Sequence, residues 1–485
     1  MNLTSIENLL NSVDDFFYTY LLTALLILAG IYLTARSRLV QLRHFGTMVN
    51  SLSGSRSGAQ GGISSFQAFA VGLAARVGIG NIAGVALAIV AGGPGALLWM
   101  WVVALIGMAT SFVESTLAQI FKERGRDFTF RGGPAYYIKN GLGSPLWGKI
   151  FAAICIVSVG VTVVMVQTNS LAQVITATVP SVSAWMVGVF LVLLTAPVVL
   201  GGVRLVARIA EWLAPLMALA YVLMAVVVII LNIGRLPEVL GSVFEGAFGL
   251  NQALFGTAGG VLAALLNGVR RGLFSNEAGL GGAACAAGSA TVSHPVQQGF
   301  IQAFGVVVDT LFVCTATALA ILVAGADVLQ PGASAKDSAG TLTQDAIAHL
   351  VGEWSRWPMA LLVVVLAYTT IIGAFSYAQV CLDYLTDRPW VARALQIGAV
   401  ICAGIGSVQQ LTTVWTLADV LLGLGAIINL VALVLLSRWV VGALRDWEAR
   451  RGTSTAEGDK SVFRRDSEYL PAPLPEGAWE GAGDR

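Results

Sequence analysis

Eleven long apolar runs alternate with short polar segments along the chain, at roughly 17–35, 66–91, 94–118, 150–175, 184–201, 210–232, 257–285, 296–325, 356–384, 391–408 and 412–437. Each is close to the ~20 residues that carry an α-helix across a hydrocarbon layer. The runs are too long and too uniform for the alternating strands of a membrane barrel. The pattern predicts an all-α polytopic membrane protein of about 11 transmembrane helices. Composition agrees: 56% of the 485 residues are hydrophobic, 11% are charged and mean hydropathy is +0.78. A soluble domain carries about 25% charged residues. A water-facing enzyme and a disordered chain are both excluded, and a net charge of +1 gives no basic field for nucleic acid.

The placement of Lys and Arg sets the expected orientation. With the N-terminus outside, 22 of the 28 fall on inner segments, three on outer ones (Arg235, Lys336, Arg356), and Arg76, Arg270 and Arg271 lie within spans. The N-terminus is therefore expected outside and the C-terminus inside, in a cytoplasmic (inner) membrane of the bacterial type. The acidic start (Glu7, Asp14, Asp15) lacks the basic region of a signal peptide, so the first span is expected to be retained. Residues 438–485 are rich in charge, Gly, Pro and Ser and read as a flexible cytoplasmic tail. The outer segment 326–355 reads as a surface cap or gate.

Two runs contain sequence that an uninterrupted membrane helix avoids, Ala75–Gly84 and Gly272–Gly282. Each gathers glycines around an Asn and a charge, and glycine weakens a helix by about 1 kcal/mol relative to alanine. Unwound backbone within a bilayer survives only where protein or a cavity satisfies it. Freed N–H groups suit a carboxylate, and freed carbonyls suit a cation. Either stretch alone could equally be a glycine-rich packing face. Together, both contain Asn-x-Ala-Gly, at Asn81–Gly84 and Asn276–Gly279, offset by 195 residues, and the same offset carries Glu114 onto Asp309. This register suggests duplicated halves, and five spans in each, of opposite sense, make an inverted repeat.

At these residues the chain resembles the alanine/glycine:cation symporter family. The resemblance rests on "VGIGNIAGVALAIVAGGPGALLWMW" (77–101) and "RGLFSNEAGLG" (271–281), with "GMATSFVESTLA" (107–118), "GGPAYYI" (132–138), "VQTNS" (166–170) and "HPVQQG" (294–299). It covers roughly residues 18–440. It implies a leucine-transporter-like 5+5 inverted repeat with one extra N-terminal helix. The expected divisions are 1–35 (outer N-terminus and extra helix), 36–65 (cytoplasmic linker), 66–232 (first repeat), 233–256 (outer loop), 257–437 (second repeat) and the tail at 438–485. It also implies symport of a small neutral amino acid with sodium or a proton by alternating access. The implied substrate-binding residues are Gly78, Ile79, Gly80, Asn81, Gln167, Phe274, Ser275, Asn276, Gly279 and Ala374. The implied sodium site joins the carbonyls of Ala74 and Val77 to Thr369 and Thr370. Ala374 stands where the family usually has Trp, and Ile79 where it has Thr. These departures imply a wider pocket and a larger substrate such as glutamine beside alanine and glycine.

Ionisable groups at membrane depth cost about 3 kcal/mol when isolated. Arg76, Arg271, Glu277 and Asp309 are thus expected to form a charge network, either gating the breaks or holding them as static pairs. Glu114, near a span end, is expected at the surface. The five cysteines fall in apolar spans and read as buried small hydrophobes. The three histidines have no metal-ligand spacing. An amino-acid-permeable channel, or an exchanger without cation coupling, is the competing reading. A membrane hydrolase is not expected, because no paired catalytic groups lie mid-span, and no cofactor is expected beyond the coupling ion.

Overall fold

A computed structural model of the protein describes residues 3–53, 63–125, 129–249, 258–329, 339–450 and 462–480. The architecture is all-helical apart from one pair of two-residue strands, Glu123–Arg124 with Phe130–Arg131. In chain order the main helices are α1 (Leu10–Arg36), α2 (Ser65–Arg76), α3 (Ala83–Gly92), α4 (Ala96–Ile120), α5 (Pro145–Thr178), α6 (Ala184–Leu200) and α7 (Val203–Leu231). They continue with α8 (Ala258–Asn276), α9 (Gly282–Gly288), α10 (Pro295–Asp327), α11 (Ala339–Val351), α12 (Arg356–Leu385), α13 (Pro389–Gly406) and α14 (Leu411–Arg450).

Among the described residues eight helices are long and apolar enough to cross a bilayer, and the bent pair α2–α3 makes a ninth span. Two of the eleven expected spans fall instead on the shorter α6 and on the pair α8–α9. The outward faces are apolar: Trp212, Leu216, Leu219, Leu223 and Ile230 form an exposed stripe on α7. Such a stripe is unfavourable in water and satisfied by lipid.

Local sequence sets the helix ends that matter. Ser64 caps α2, accepting from Gln67 N while Gln67 Oε1 accepts from Ser64 N, a reciprocal capping box. Pro295 opens α10 behind His294, whose Nδ1 accepts from Val296 N and whose Nε2 donates to Asp446. Burial holds this imidazole below its ordinary value, which keeps it neutral, as these two bonds require. The stretch Val307–Cys314 of α10 is π-helical, a widened turn often found at functional sites.

α4 packs against α8, α9 and α10, while α2 packs against α7, α9 and α12. The two interrupted pairs are thereby surrounded by other helices.

Two expected peripheral segments are integral to the bundle. In 326–355, expected to cap the surface, α11 buries Leu342, Thr343, Ala346 and Ile347, and Thr343 Oγ1 donates to Ile82 O at the start of α3. In the expected free tail, α14 continues to Arg450 and residues 462–480 pack onto the bundle, with Phe463 fully buried. Four cysteines are buried and Cys402 is half-buried, all as free thiols.

Candidate functional site

The first interruption follows directly from Arg76. Val77 leaves the helix, Gly78 is extended, Ile79–Asn81 form one 3-10 turn, and α3 sets off at 53° to α2. Gly78 is required by close approach rather than by its dihedrals. A Cβ there would lie 2.2 Å from Thr370 Oγ1 and 3.0 Å from Gln167 Oε1. The second interruption begins one turn later than the sequence suggests, because α8 stays helical through Asn276. Glu277, Gly279 and Gly281 then take φ of +56°, +97° and +92° before α9 starts. Gly279 and Gly281 adopt left-handed backbone without the penalty a side chain brings. Phe274, Ser275 and Asn276 therefore sit on the last helical turn, not in unwound chain.

Side chains meet most of the freed polar groups. The Gly78 amide donates to Asn81 Oδ1 at 2.9 Å, and the Ile79 amide donates to Gln167 Oε1 at 2.9 Å. The Asn81 Nδ2 donates to Asp309 Oδ1 at 2.6 Å. The Ser275 and Thr310 hydroxyls both donate to Asp309 Oδ2 at 2.8 Å. One fully buried carboxylate on the π-helical turn of α10 thus joins the first interruption to the last turn before the second. Asn276 Oδ1 accepts from Ala278 N, while its Nδ2 is buried without a partner among the described residues. Gly80 lies against the Phe274 ring, a Cβ there falling 3.0 Å from Cδ1.

The four expected network charges separate into distinct environments. Arg76 donates to Gln302 O and Ser111 Oγ rather than to a carboxylate. Glu277 lies within the second interruption and Asp309 at the junction. Arg271 stands apart, in an ion pair with Asp419 of α14 and 4.7 Å from the Trp415 ring. Asp419 and Trp415 are contacts that the sequence reading missed. Asp419 is a lone acid inside the apolar run 412–437, the same signal that singled out Asp309. Trp415 stacks on Phe274 with ring centroids 4.5 Å apart. Beyond that stack lies a cavity of about 340 Å³. Its polar lining includes Asp14 of α1, Arg270, Arg271 and Asp419. Arg270 pairs with Asp14 at 3.0 Å.

Glu114, expected at the surface, is fully buried. Its Oε2 accepts from Gly279 N at 3.1 Å and its Oε1 from Asn429 Nδ2 at 2.8 Å. The correction has a physical reason: α4 is sheathed by α9, α10 and the helix Pro134–Leu142, so its end is not a solvent boundary. Asp309 thus supports Asn81 in the first interruption, and Glu114 supports Gly279 in the second.

Of the expected sodium ligands, Thr370 and Ala74 meet: the Thr370 hydroxyl donates to Ala74 O at 2.9 Å. The Thr369 hydroxyl bonds to its own helix at Val365 O and Leu366 O and to Met217 Sδ. Val77 is buried beside the first break, and Ala374 is buried one turn beyond Thr370.

Apolar helices, two of them interrupted among their neighbours beside buried carboxylates, form the framework of a multi-pass membrane transporter. The chain belongs to the sodium:alanine symporter family, whose model matches residues 3–463. It is 40% identical over 462 residues to the probable sodium/glutamine symporter GlnT of Bacillus subtilis, covering 95% of this chain and 94% of that one. It is 39% identical to the amino-acid carrier protein AlsT of the same organism, over 98% of each chain. It is 37% identical to the sodium/alanine symporter AgcS of Methanococcus maripaludis, over 90% of this chain and 95% of that one. This is a family of transporters rather than enzymes, and it makes sodium the coupling ion.

Proposed function

We propose that this protein takes up a small neutral amino acid, alanine- or glutamine-sized, together with sodium by alternating access. Two five-helix repeats of opposite sense, with α1 as the extra helix, would move against each other around the two interruptions. The observation that carries this reading is the Asp309 junction, where one carboxylate binds Asn81 and Ser275 beside the Ile79–Gln167 contact. The amino-acid carboxylate takes the place of Gln167 Oε1 on the Ile79 amide, its ammonium faces the carbonyl oxygens at the C-terminal end of α8, and the unpartnered Asn276 Nδ2 donates to a substrate oxygen. Sodium is held by the Ala74 carbonyl and the Thr370 hydroxyl, hard oxygen donors already in contact. The Phe274–Trp415 stack and the Arg271–Asp419 pair close the site toward the outer cavity. One positive charge crossing about 100 mV contributes roughly 2.3 kcal/mol. At 1.4 kcal/mol per factor of ten, that sustains an about fifty-fold amino-acid gradient.

Uptake of labelled alanine and glutamine into proteoliposomes tests this directly. The expected result is saturable accumulation driven by a sodium gradient and lost when choline replaces sodium. Non-saturable flux indifferent to that replacement would indicate a channel. Thr370→Val removes one hydroxyl ligand and is expected to raise the half-saturating sodium concentration about tenfold, a hydrogen bond to a charged group contributing ~1.5 kcal/mol. An unchanged sodium titration removes Thr370 from the ion site. Ala374→Trp is expected to depress glutamine uptake more than alanine uptake; equal effects on both would separate this position from the pocket.

A further inference from the structure

The tail residues 462–480 fold back on themselves, with Leu474 N donating to Arg465 O and Arg465 N to Glu480 O. Their apolar side chains face the bundle: Phe463, Leu470, Leu474 and Trp479 are all buried. Two anchors fix the segment to the end of the bundle that carries Lys122. Phe463 N donates to Ser293 O at 2.9 Å, and its ring packs edge-on against His294. Trp479 Nε1 donates to Gln119 O at 3.1 Å, and the Lys122 ammonium lies 4.5 Å from its ring. A third tether passes through Asp446 of α14, which accepts from His294, Arg450 and Ser467.

These anchors sit on the groups that tie the two interrupted pairs together at this end. The loop after α9 is held by Gln119, which donates to Ala287 O and Ala290 O, and by Lys122, which donates to Ala290 O. The same loop pairs with the chain leading into α2: Ile63 bridges Ala290, and Thr291 N donates to Ile63 O at 3.0 Å. Among the described residues, Lys122 is buried between two oxygen acceptors, Gln119 Oε1 and Ala290 O, and two aromatic rings, those of Phe130 and Trp479. Removing one ring takes away part of what compensates a desolvated cation.

The geometry points to residues 462–480 as an autoinhibitory latch, a segment that docks on the inner ends of α4, α14 and the α9–α10 loop and restrains separation of α2 from that loop. The latch rests on the alternating-access reading, in which α2 and the α9–α10 loop part when the site opens inward. Docking stabilises the inward-closed state; release raises the inward-open population. The tail lies almost wholly beyond residue 463, where the family model's match ends.

Thiol labelling of the full-length protein tests this, with two reporters. Leu474→Cys reports docking of the tail, and Ala68→Cys, buried on α2 one turn from Ser64, reports inward opening. Each is reacted with a membrane-impermeant maleimide, in the parent chain and with Phe463→Ala/Trp479→Ala, after sodium-dependent amino-acid binding has shown the chains to be folded. In the parent, Leu474→Cys is expected to label slowly. In the double variant it labels fast, and Ala68→Cys labels about tenfold faster than in the parent, the change that follows from a 1.4 kcal/mol shift in population. Fast labelling of Leu474→Cys in the parent overturns the docked tail, and slow labelling in the double variant overturns its two anchors. A released tail with unchanged labelling at Ala68→Cys overturns the latch while leaving transport untouched. No labelling at Ala68→Cys in either chain, with or without sodium and amino acid, overturns the alternating-access reading itself, and the latch with it. A variant pair that loses binding is replaced by Trp479→Phe, which keeps a ring over Lys122 but not the donor to Gln119, and is judged by the same two reporters.

Discussion

Asp309→Asn is expected to cut sodium-driven uptake by at least about 100-fold, two factors of ten at 1.4 kcal/mol each, while the protein remains folded. The separation of the two effects comes from the hydrogen-bond pattern. Asp309 Oδ1 accepts from the Asn81 amide, and that bond survives in asparagine through the side-chain oxygen. Among the described residues, Asp309 Oδ2 accepts from two hydroxyls, those of Ser275 and Thr310. A hydroxyl carries lone pairs as well as a proton, so both can turn and accept from the new amide nitrogen. The fold keeps its contacts while the negative charge between the interruptions is lost. Uptake and sodium-dependent binding, measured beside extraction yield, check this. Wild-type uptake in Asp309→Asn would make the carboxylate a structural bridge only.

The second large effect concerns stability. Arg271→Ala leaves Asp419 buried without its cation, and breaking a buried pair from one side costs about 3–5 kcal/mol. The melting temperature of the detergent-solubilised protein should fall clearly. Arg271→Met/Asp419→Leu removes both charges and should recover most of that loss, because a buried ion pair is often no more stabilising than an apolar one. Arg271 Nη1 and Asp419 Oδ1 lack partners among the described residues, which makes the pair incompletely satisfied and easy to exchange. The double variant should leak amino acid without sodium, as expected if the pair is a gate. Equal melting of Arg271→Ala and the parent would show that the pair is not a closed contact.

The interruptions were legible because their signal is local. Glycine, Asn and a charge rarely gather inside an apolar run whose helix continues unbroken, and both stretches leave the α-helix at or just beyond the expected residues. Which partner meets which group was not legible, because those contacts span the fold. Asn81 reaches Asp309 across 228 residues and Arg271 reaches Asp419 across 148. Glu114 was misplaced because distance from a span end is a poor guide to exposure when a helix is covered by its neighbours. The tail was read as free because its composition is that of a disordered segment. Its apolar residues are buried against a surface that includes Ser293, His294, Gln119, Lys122 and Gly442, which the tail's own sequence does not contain. The segment 326–355 was expected as a cap or gate, and which of its side chains face the bundle, as those of α11 do, was not legible in its sequence.

Equilibrium binding of radiolabelled alanine and glutamine to the purified protein, titrated with sodium at fixed ionic strength, tests the site most directly when run beside Asn276→Ala. The Asn276 amide nitrogen has no partner among the described residues, and the substitution removes with it one local contact, from Ala278 N to Oδ1. The prediction is one saturable site per chain whose Kd falls as sodium rises, and no measurable binding in a folded Asn276→Ala protein. Sodium-independent binding, or the same affinity in Asn276→Ala, would place the amino acid away from the interrupted helices.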